Sequence, residues 1–192
     1  MKPRTKWGLV CALALMGCGH SPPTHYYSLD AVPPTAPLVT GRMAPVQLGA
    51  VRLPDSLDRP EIVEHDARYR MAVRETDHWG APLAPMIRRT LAQDLLARLP
   101  PGAFVLPGAP APAGSRGIVV TVLDLRANTD GRMTFEGSWS LTDGDASAAV
   151  MTQDVSLSEP MRSASSPDIA DAMSRVLGRL ADRIAATLAE RQ

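Results

Sequence analysis

Met133-Thr134-Phe135-Glu136-Gly137-Ser138-Trp139-Ser140-Leu141-Thr142 alternates between apolar or small and polar side chains at every step. A period of two sends Met133, Phe135, Gly137, Trp139 and Leu141 to one face and the polar set to the other. This predicts a strand with one covered face. Turn-forming residues flank it: Asn128-Thr129-Asp130-Gly131 before and Asp143-Gly144-Asp145 after. They fold the mostly apolar run 118–125 and the segment 148–157 back against it as a three-strand meander. The run 118–125 has no visible alternation, which predicts a central strand covered on both faces.

On either side of this meander the period changes. Leu83, Ile87, Leu91, Leu95 and Leu99 recur every four residues, with Arg88, Arg89, Gln93 and Asp94 mostly elsewhere. This is an amphipathic helix, opened by Pro82 and Pro85 and stopped by Pro100-Pro101-Gly102. A second helix closes the chain. Ser166 is its expected cap, Pro167 its first residue and Asp168 lies in its first turn, with Ile169, Met173, Val176, Leu180, Ile184 and Leu188 as the buried stripe.

Upstream, 26–29, 46–53, 61–65 and 69–75 read as strands, the last two as a hairpin about Asp66-Ala67-Arg68. The proline-rich stretch 31–45 reads as a loop, and Phe104 to Leu106 is a short apolar piece. The order is strands, helix, strands, helix. It predicts an α+β domain with two amphipathic helices packed on a mixed or mostly antiparallel sheet.

The chain starts with Lys2, Arg4 and Lys6, an apolar run from Trp7 to Met16, and Leu15-Met16-Gly17-Cys18. That layout is a secretory signal, and its apolar run is shorter than the roughly 20 residues that span a bilayer. A cysteine directly after Leu-x-Gly marks a lipoprotein, because its thiol is the nucleophile that takes up diacylglycerol. The expected organisation is a signal peptide over 1–17, a lipidated flexible tether over 18–25 and one periplasmic domain over 26–192. Cys18 is the lipidation site and becomes the new N-terminus. Gly19 follows it where an aspartate would resemble an inner-membrane retention signal, which by that sorting rule points to the periplasmic face of the outer membrane.

The neutral precursor loses three cations with the signal, leaving a net charge of −3. Nothing here favours nucleic acid. Both lysines lie in the signal, so the remaining fixed cations are all arginine, a bias that goes with eighteen prolines and a GC-rich coding sequence.

Chemistry-bearing patterns are sparse. Cys11 leaves with the signal and Cys18 is consumed by lipid, so no disulfide or thiolate metal site is expected. There is no G-x-S-x-G, and Gly114-Ser115-Arg116-Gly117 has the wrong spacing. There is no phosphate-binding loop and no mature lysine to serve one. His65-Asp66 and Asp77-His78 bracket the hairpin and offer a weak metal reading, against which surface histidines at strand ends are far commoner. Met71, Met86, Met133, Met151 and Met173 read as core filler. No catalytic residue, metal or cofactor is assigned.

Val51-Arg52-Leu53-Pro54-Asp55-Ser56-Leu57-Asp58-Arg59-Pro60-Glu61-Ile62-Val63 is the most distinctive stretch. It reads either as a turn, with Asp55 or Asp58 bonding local amides and Arg59 as an ion partner, or as a docking loop with Leu57 exposed. Together with Tyr26-Tyr27-Ser28-Leu29 and Trp79-x-x-Pro82-Leu83, in this order and spacing, it resembles the ABC-type transport auxiliary lipoproteins, the family of PqiC-like membrane integrity-associated transporter subunits. The resemblance is carried by the first half of the mature chain.

It implies a non-enzymatic docking subunit at the outer-membrane end of an intermembrane lipid transport system. The partners it implies are a periplasmic MCE-domain protein and, through it, an ABC-type or other inner-membrane permease, with ATP hydrolysis supplied by separate chains. Assembly with further copies of itself is compatible. Tyr26, Tyr27, Leu57, Arg59 and Trp79 are the candidates for docking or for packing within the family fold. The competing expectation is an outer-membrane assembly or scaffold lipoprotein that contacts a β-barrel or the cell wall. A hydrolase would need a nucleophile that the sequence does not display.

Overall fold

The computed structural model describes residues 22–34, 41–67, 70–143 and 148–191. The expected signal, Cys18 and the start of the tether lie outside the described residues, as do Arg68 in the hairpin turn and Gly144 and Asp145 in the meander. In chain order come β1 (His25–Tyr27), β2 (Val46–Arg52), β3 (Glu61–Ala67), β4 (Arg70–Trp79), α1 (Leu83–Arg98), β5 (Phe104–Val105), β6 (Arg116–Ala127), β7 (Arg132–Asp143), β8 (Ala149–Pro160) and α2 (Ser166–Ala189). The fold is α+β, as the element order predicts.

The strands form two sheets, with orders β5-β2-β6-β7-β8 and β1-β4-β3. The meander β6-β7-β8 is antiparallel, whereas β2 runs parallel to both β5 and β6. A parallel neighbour needs a crossover, and the chain through α1 supplies it. β1 likewise lies parallel to β4, bringing the start of the domain beside residues fifty positions later.

The two helices pack on each other and on the large sheet. Leu48, Ile118, Val120, Phe135, Trp139 and Leu141 are buried from the sheet, and Ile87, Leu91, Leu95, Val176, Leu180 and Ile184 from the helices. Every residue of both predicted helix stripes is buried. Ser165, one residue earlier than expected, caps α2 by accepting from the Asp168 amide. α1 starts directly after Pro82 without a side-chain cap. Among the described residues no helix is long and apolar enough to cross a membrane.

β6 differs from the expectation of a strand covered on both faces. Ile118, Val120 and Val122 are buried while Thr121 is exposed, and after Leu123 the buried positions become Leu125 and Ala127. Val122 pairs with Gly137 and Asp124 with Glu136, so Leu123 is an extra residue without a partner, a β-bulge that shifts the phase of the strand. The apolar run is therefore two alternating pieces out of step. Leu123 itself points outward, 72% exposed.

Gly137 sits under the bulge. A Cβ there would lie 2.3 Å from the Thr121 carbonyl oxygen and 3.1 Å from Val122 Cα, both backbone atoms. Only glycine lets β6 and β7 close at this point.

Asp94 was expected off the buried stripe of α1, yet it is completely buried. Its Oδ1 accepts from the Val32 amide at 2.8 Å and from Arg98 Nη1 at 3.2 Å. Arg98, also buried, donates in addition to the Val32 carbonyl (3.0 Å) and to Asp182 of α2 (2.5 Å). Asp94 Oδ2 has no hydrogen-bond partner. Burial outweighs the attraction of Arg98 and pushes the Asp94 carboxyl up to about 6 from the ordinary 3.8.

Two outcomes are expected. Gly137→Ala should cost about 3 kcal/mol and lower Tm by roughly 10 °C in thermal denaturation, since the clash is with backbone. The raised carboxyl of Asp94 contributes most to stability below about 3.8, and that contribution is lost as pH rises through about 6. Asp94→Asn keeps the neutral form at every pH. Urea midpoints of the wild type should therefore fall relative to the variant as pH rises across this window, and parallel profiles would refute the assignment.

Candidate functional site

The three segments that carry the family resemblance meet at one end of the small sheet. β1 ends at Tyr27, in register with Trp79 at the end of β4. The Gly80 amide donates to the Tyr27 carbonyl at 2.7 Å, and the Trp79 amide donates to the Pro60 carbonyl at 2.7 Å. Between β2 and β3 the chain turns tightly. The Pro54 carbonyl accepts from the amides of Leu57 (2.9 Å) and Asp58 (3.3 Å), and the Leu57 carbonyl accepts from the Arg59 amide (2.9 Å). A backbone carbonyl thus closes the turn in place of the expected Asp55 or Asp58 side chain.

The structure separates the five candidate residues. Leu57 is 8% exposed and belongs to the core, because the turn folds its side chain inward; it is not the exposed residue that the docking-loop reading of this stretch required. Trp79 is buried at 5%, and Tyr27 is half-buried against the core. Tyr26 is 70% exposed and meets the His78 ring edge-on at 5.9 Å between centroids. Arg59 is half-exposed and donates through Nε to Glu61 Oε2 at 2.9 Å. That bond holds the Glu61 carboxyl below its usual range.

Asp58, Arg59, Pro60, Trp79, Ala81 and Pro82 line a shallow hollow of about 350 Å³. Of these Trp79 is buried, Arg59 half-exposed, and Asp58, Pro60, Ala81 and Pro82 exposed. An apolar lining bordered by charged side chains is the arrangement that receives an apolar side chain of a partner protein.

Beside the hollow is a polar cluster that the sequence did not announce. His25 Nδ1 lies 3.3 Å from Asp77, whose other oxygen accepts from the Ser166 hydroxyl and faces Arg74 at 3.7 Å. The Ser166 bond, first, and the His25 and Arg74 contacts lower the Asp77 carboxyl. A hydroxyl, a carboxylate and an imidazole meet here, but Ser166 donates to Asp77 and not to His25, so the imidazole is not placed on the hydroxyl in the nucleophile–base–orienter order. Positions 25, 77 and 166 carry no shared sequence signal that could have linked them. His25, assigned to the tether, is the first residue of β1. Ser115 donates to the Pro112 carbonyl at 2.7 Å inside a turn. Met71, expected in the core, is 39% exposed on the hairpin.

The family model for the ABC-type transport auxiliary lipoprotein component matches residues 27–185, from the last residue of β1 nearly to the end of α2. The chain belongs to this family. Two crystal structures share its fold. One, of an uncharacterized protein, has a TM-score of 0.66 and 20% identity, covering 88% of this chain and 99% of its own. The other, from Xanthomonas campestris, has a TM-score of 0.65 and 14% identity, covering 86% of this chain and 94% of its own. No curated protein matches. As a family member the chain is a transport auxiliary lipoprotein, and its motif residues divide into those that build the family fold and those left at its surface.

That division predicts different mutational behaviour. Leu57→Ala should cost about 2 kcal/mol in denaturant unfolding, and Leu57→Asp more, because both act on the core. Arg59→Glu and Tyr26→Ala should each change stability by less than about 1 kcal/mol, since Tyr26 is exposed and Arg59 half-exposed in a solvent-accessible ion pair.

Proposed function

We propose that this chain is a non-catalytic docking subunit of an MCE/ABC-type intermembrane lipid transport system, held at the periplasmic face of the outer membrane by lipid on Cys18. The observation that carries the reading is that two of the three family segments, 51–63 and 79–83, line one exposed hollow, while the third, from Tyr26, is paired with the end of β4 where the expected tether joins the domain. Family membership supplies the transport setting. The Leu-Met-Gly-Cys sequence supplies the anchor, and several acyl chains at about 0.8 kcal/mol per buried methylene would make it permanent.

In this reading Trp79 and Leu57 hold the hollow in shape from beneath. Arg59, Asp58 and Tyr26 meet the partner, a periplasmic MCE-domain protein that connects to an ABC-type or other permease. Arginine and tyrosine are side chains enriched among residues that dominate binding energy. The docked state would keep the lipoprotein in place while separate chains hydrolyse ATP, and loss of docking would weaken membrane integrity.

The test is affinity isolation of tagged protein from gently solubilised envelopes, with identification of what accompanies it. The wild type should bring down an MCE-domain protein with permease or ATPase components, while folded Arg59→Glu and Tyr26→Ala proteins lose most of it. A β-barrel or cell-wall partner alone would replace this reading with the scaffold. Labelled palmitate should enter the wild type and not Cys18→Ala, and incorporation into both would remove the anchor from the proposal.

A further inference from the structure

Arg42, Arg116 and Arg191 surround a cavity of about 220 Å³ whose apolar lining is Met43, Ala44, Val46 and Leu188. It lies at the N-terminal ends of β2 and β6, where the Arg116 amide donates to the Pro45 carbonyl at 2.8 Å, and beside the last turn of α2. The motif hollow is at the other end of β2. Several arginines elsewhere are neutralised closely: Arg98 by Asp94 and Asp182, Arg74 by Glu64, Arg162 by Asp168. Here only Arg116 faces a carboxylate, Asp143, and at 3.9 Å with Asp143 72% exposed. Arg42 and Arg191 have no carboxylate partner among the described residues.

We propose that this cavity binds the phosphate-ester head group of an amphiphile. Guanidinium forks match phosphate oxygens two at a time, and three of them on one rim supply more positive charge than a single phosphodiester neutralises. The carbonyl end of α2 disfavours an anion nearby, but that effect is confined to the last turn and to a fraction of a charge. Below the guanidiniums the wall is apolar. Val46 and Leu188 are buried and Met43 half-buried, and a flexible thioether adapts to an alkyl chain. The volume is smaller than a pocket for a drug-sized molecule, so it takes the head group and its first methylenes while the rest of the tail lies outside.

This site does not rest on the docking reading, and either can fail alone. The test titrates dihexanoyl phosphatidylglycerol, as dispersed molecules, into the full chain freed of its anchor by Cys18→Ser, with dihexanoyl phosphatidylcholine and inorganic phosphate as the other probes. Calorimetric binding of phosphatidylglycerol is expected, at least tenfold weaker for phosphatidylcholine and for inorganic phosphate. Arg42→Gln with Arg191→Gln should weaken it about a hundredfold, corresponding to about 2.8 kcal/mol, with an unchanged melting curve because both side chains are exposed. Arg116→Gln is a second, independent variant with the same expected direction. Equal binding of inorganic phosphate would reduce the site to a simple anion site and overturn the amphiphile proposal. Unchanged binding in both variants would overturn the site itself.

Discussion

Arg98 is a fixed positive charge with 3% of its surface exposed, and the arrangement around it follows from the need to neutralise and hydrogen-bond it. Asp94 reaches it from the preceding turn of α1, Asp182 from α2, and the Val32 carbonyl from the segment that follows β1. Removing any one partner leaves an under-satisfied guanidinium in the core. The two helices and the N-terminal segment are therefore held in one mutual geometry. Gly178 belongs to the same constraint. A Cβ there would approach Val32 Cβ at 3.1 Å and Arg98 Nη2 at 3.4 Å, so the close passage of the segment over α2 depends on the missing side chain.

That segment runs on from β1, which pairs with β4 up to Trp79, a residue that lines the hollow. The position of Tyr27 relative to Trp79 is fixed at one end by strand pairing and a few residues later by the buried charge cluster. The family motif is in this light largely a backbone device. Pro54 and Pro60 contribute carbonyls that accept amides, Gly80 donates to Tyr27, and Leu57 and Trp79 fill space beneath. What the motif leaves at the surface is small: Tyr26, Asp58 and the half-exposed Arg59, which line or neighbour the buried Trp79.

Local patterns made much of the fold legible. β7 shows the predicted alternation at Met133, Phe135, Trp139 and Leu141, and both helix stripes are buried because a period of 3.6 survives any tertiary context that covers one face. Where a local rule misled, a non-local contact was responsible. The β6 alternation was hidden by the bulge at Leu123, which Gly137 on another strand makes possible. For Leu57 the surrounding prolines and aspartates left a turn and an exposed docking loop open, and the turn on Pro54 decides between them by pointing the side chain inward. Asp94 looked like a surface carboxylate because Val32, whose amide it accepts, and Asp182, which shares Arg98 with it, lie far away in sequence. The division of strands between two sheets, and the parallel pairing of β1 with β4, had no local signal at all.

The same non-local pairing bears on where a partner can be met. Under the proposed anchoring, the seven chain steps from Cys18 to His25 span at most about 25 Å when fully extended. β1 pairs with β4, whose last residue Trp79 lines the hollow, so under that anchoring the proposed docking face would lie near the membrane end of the domain. A long leash would let the domain search a wide volume, with a low effective concentration at any one place; a short one concentrates it near the membrane surface. A leash this short suits a subunit that must hold a partner's tip close to the bilayer.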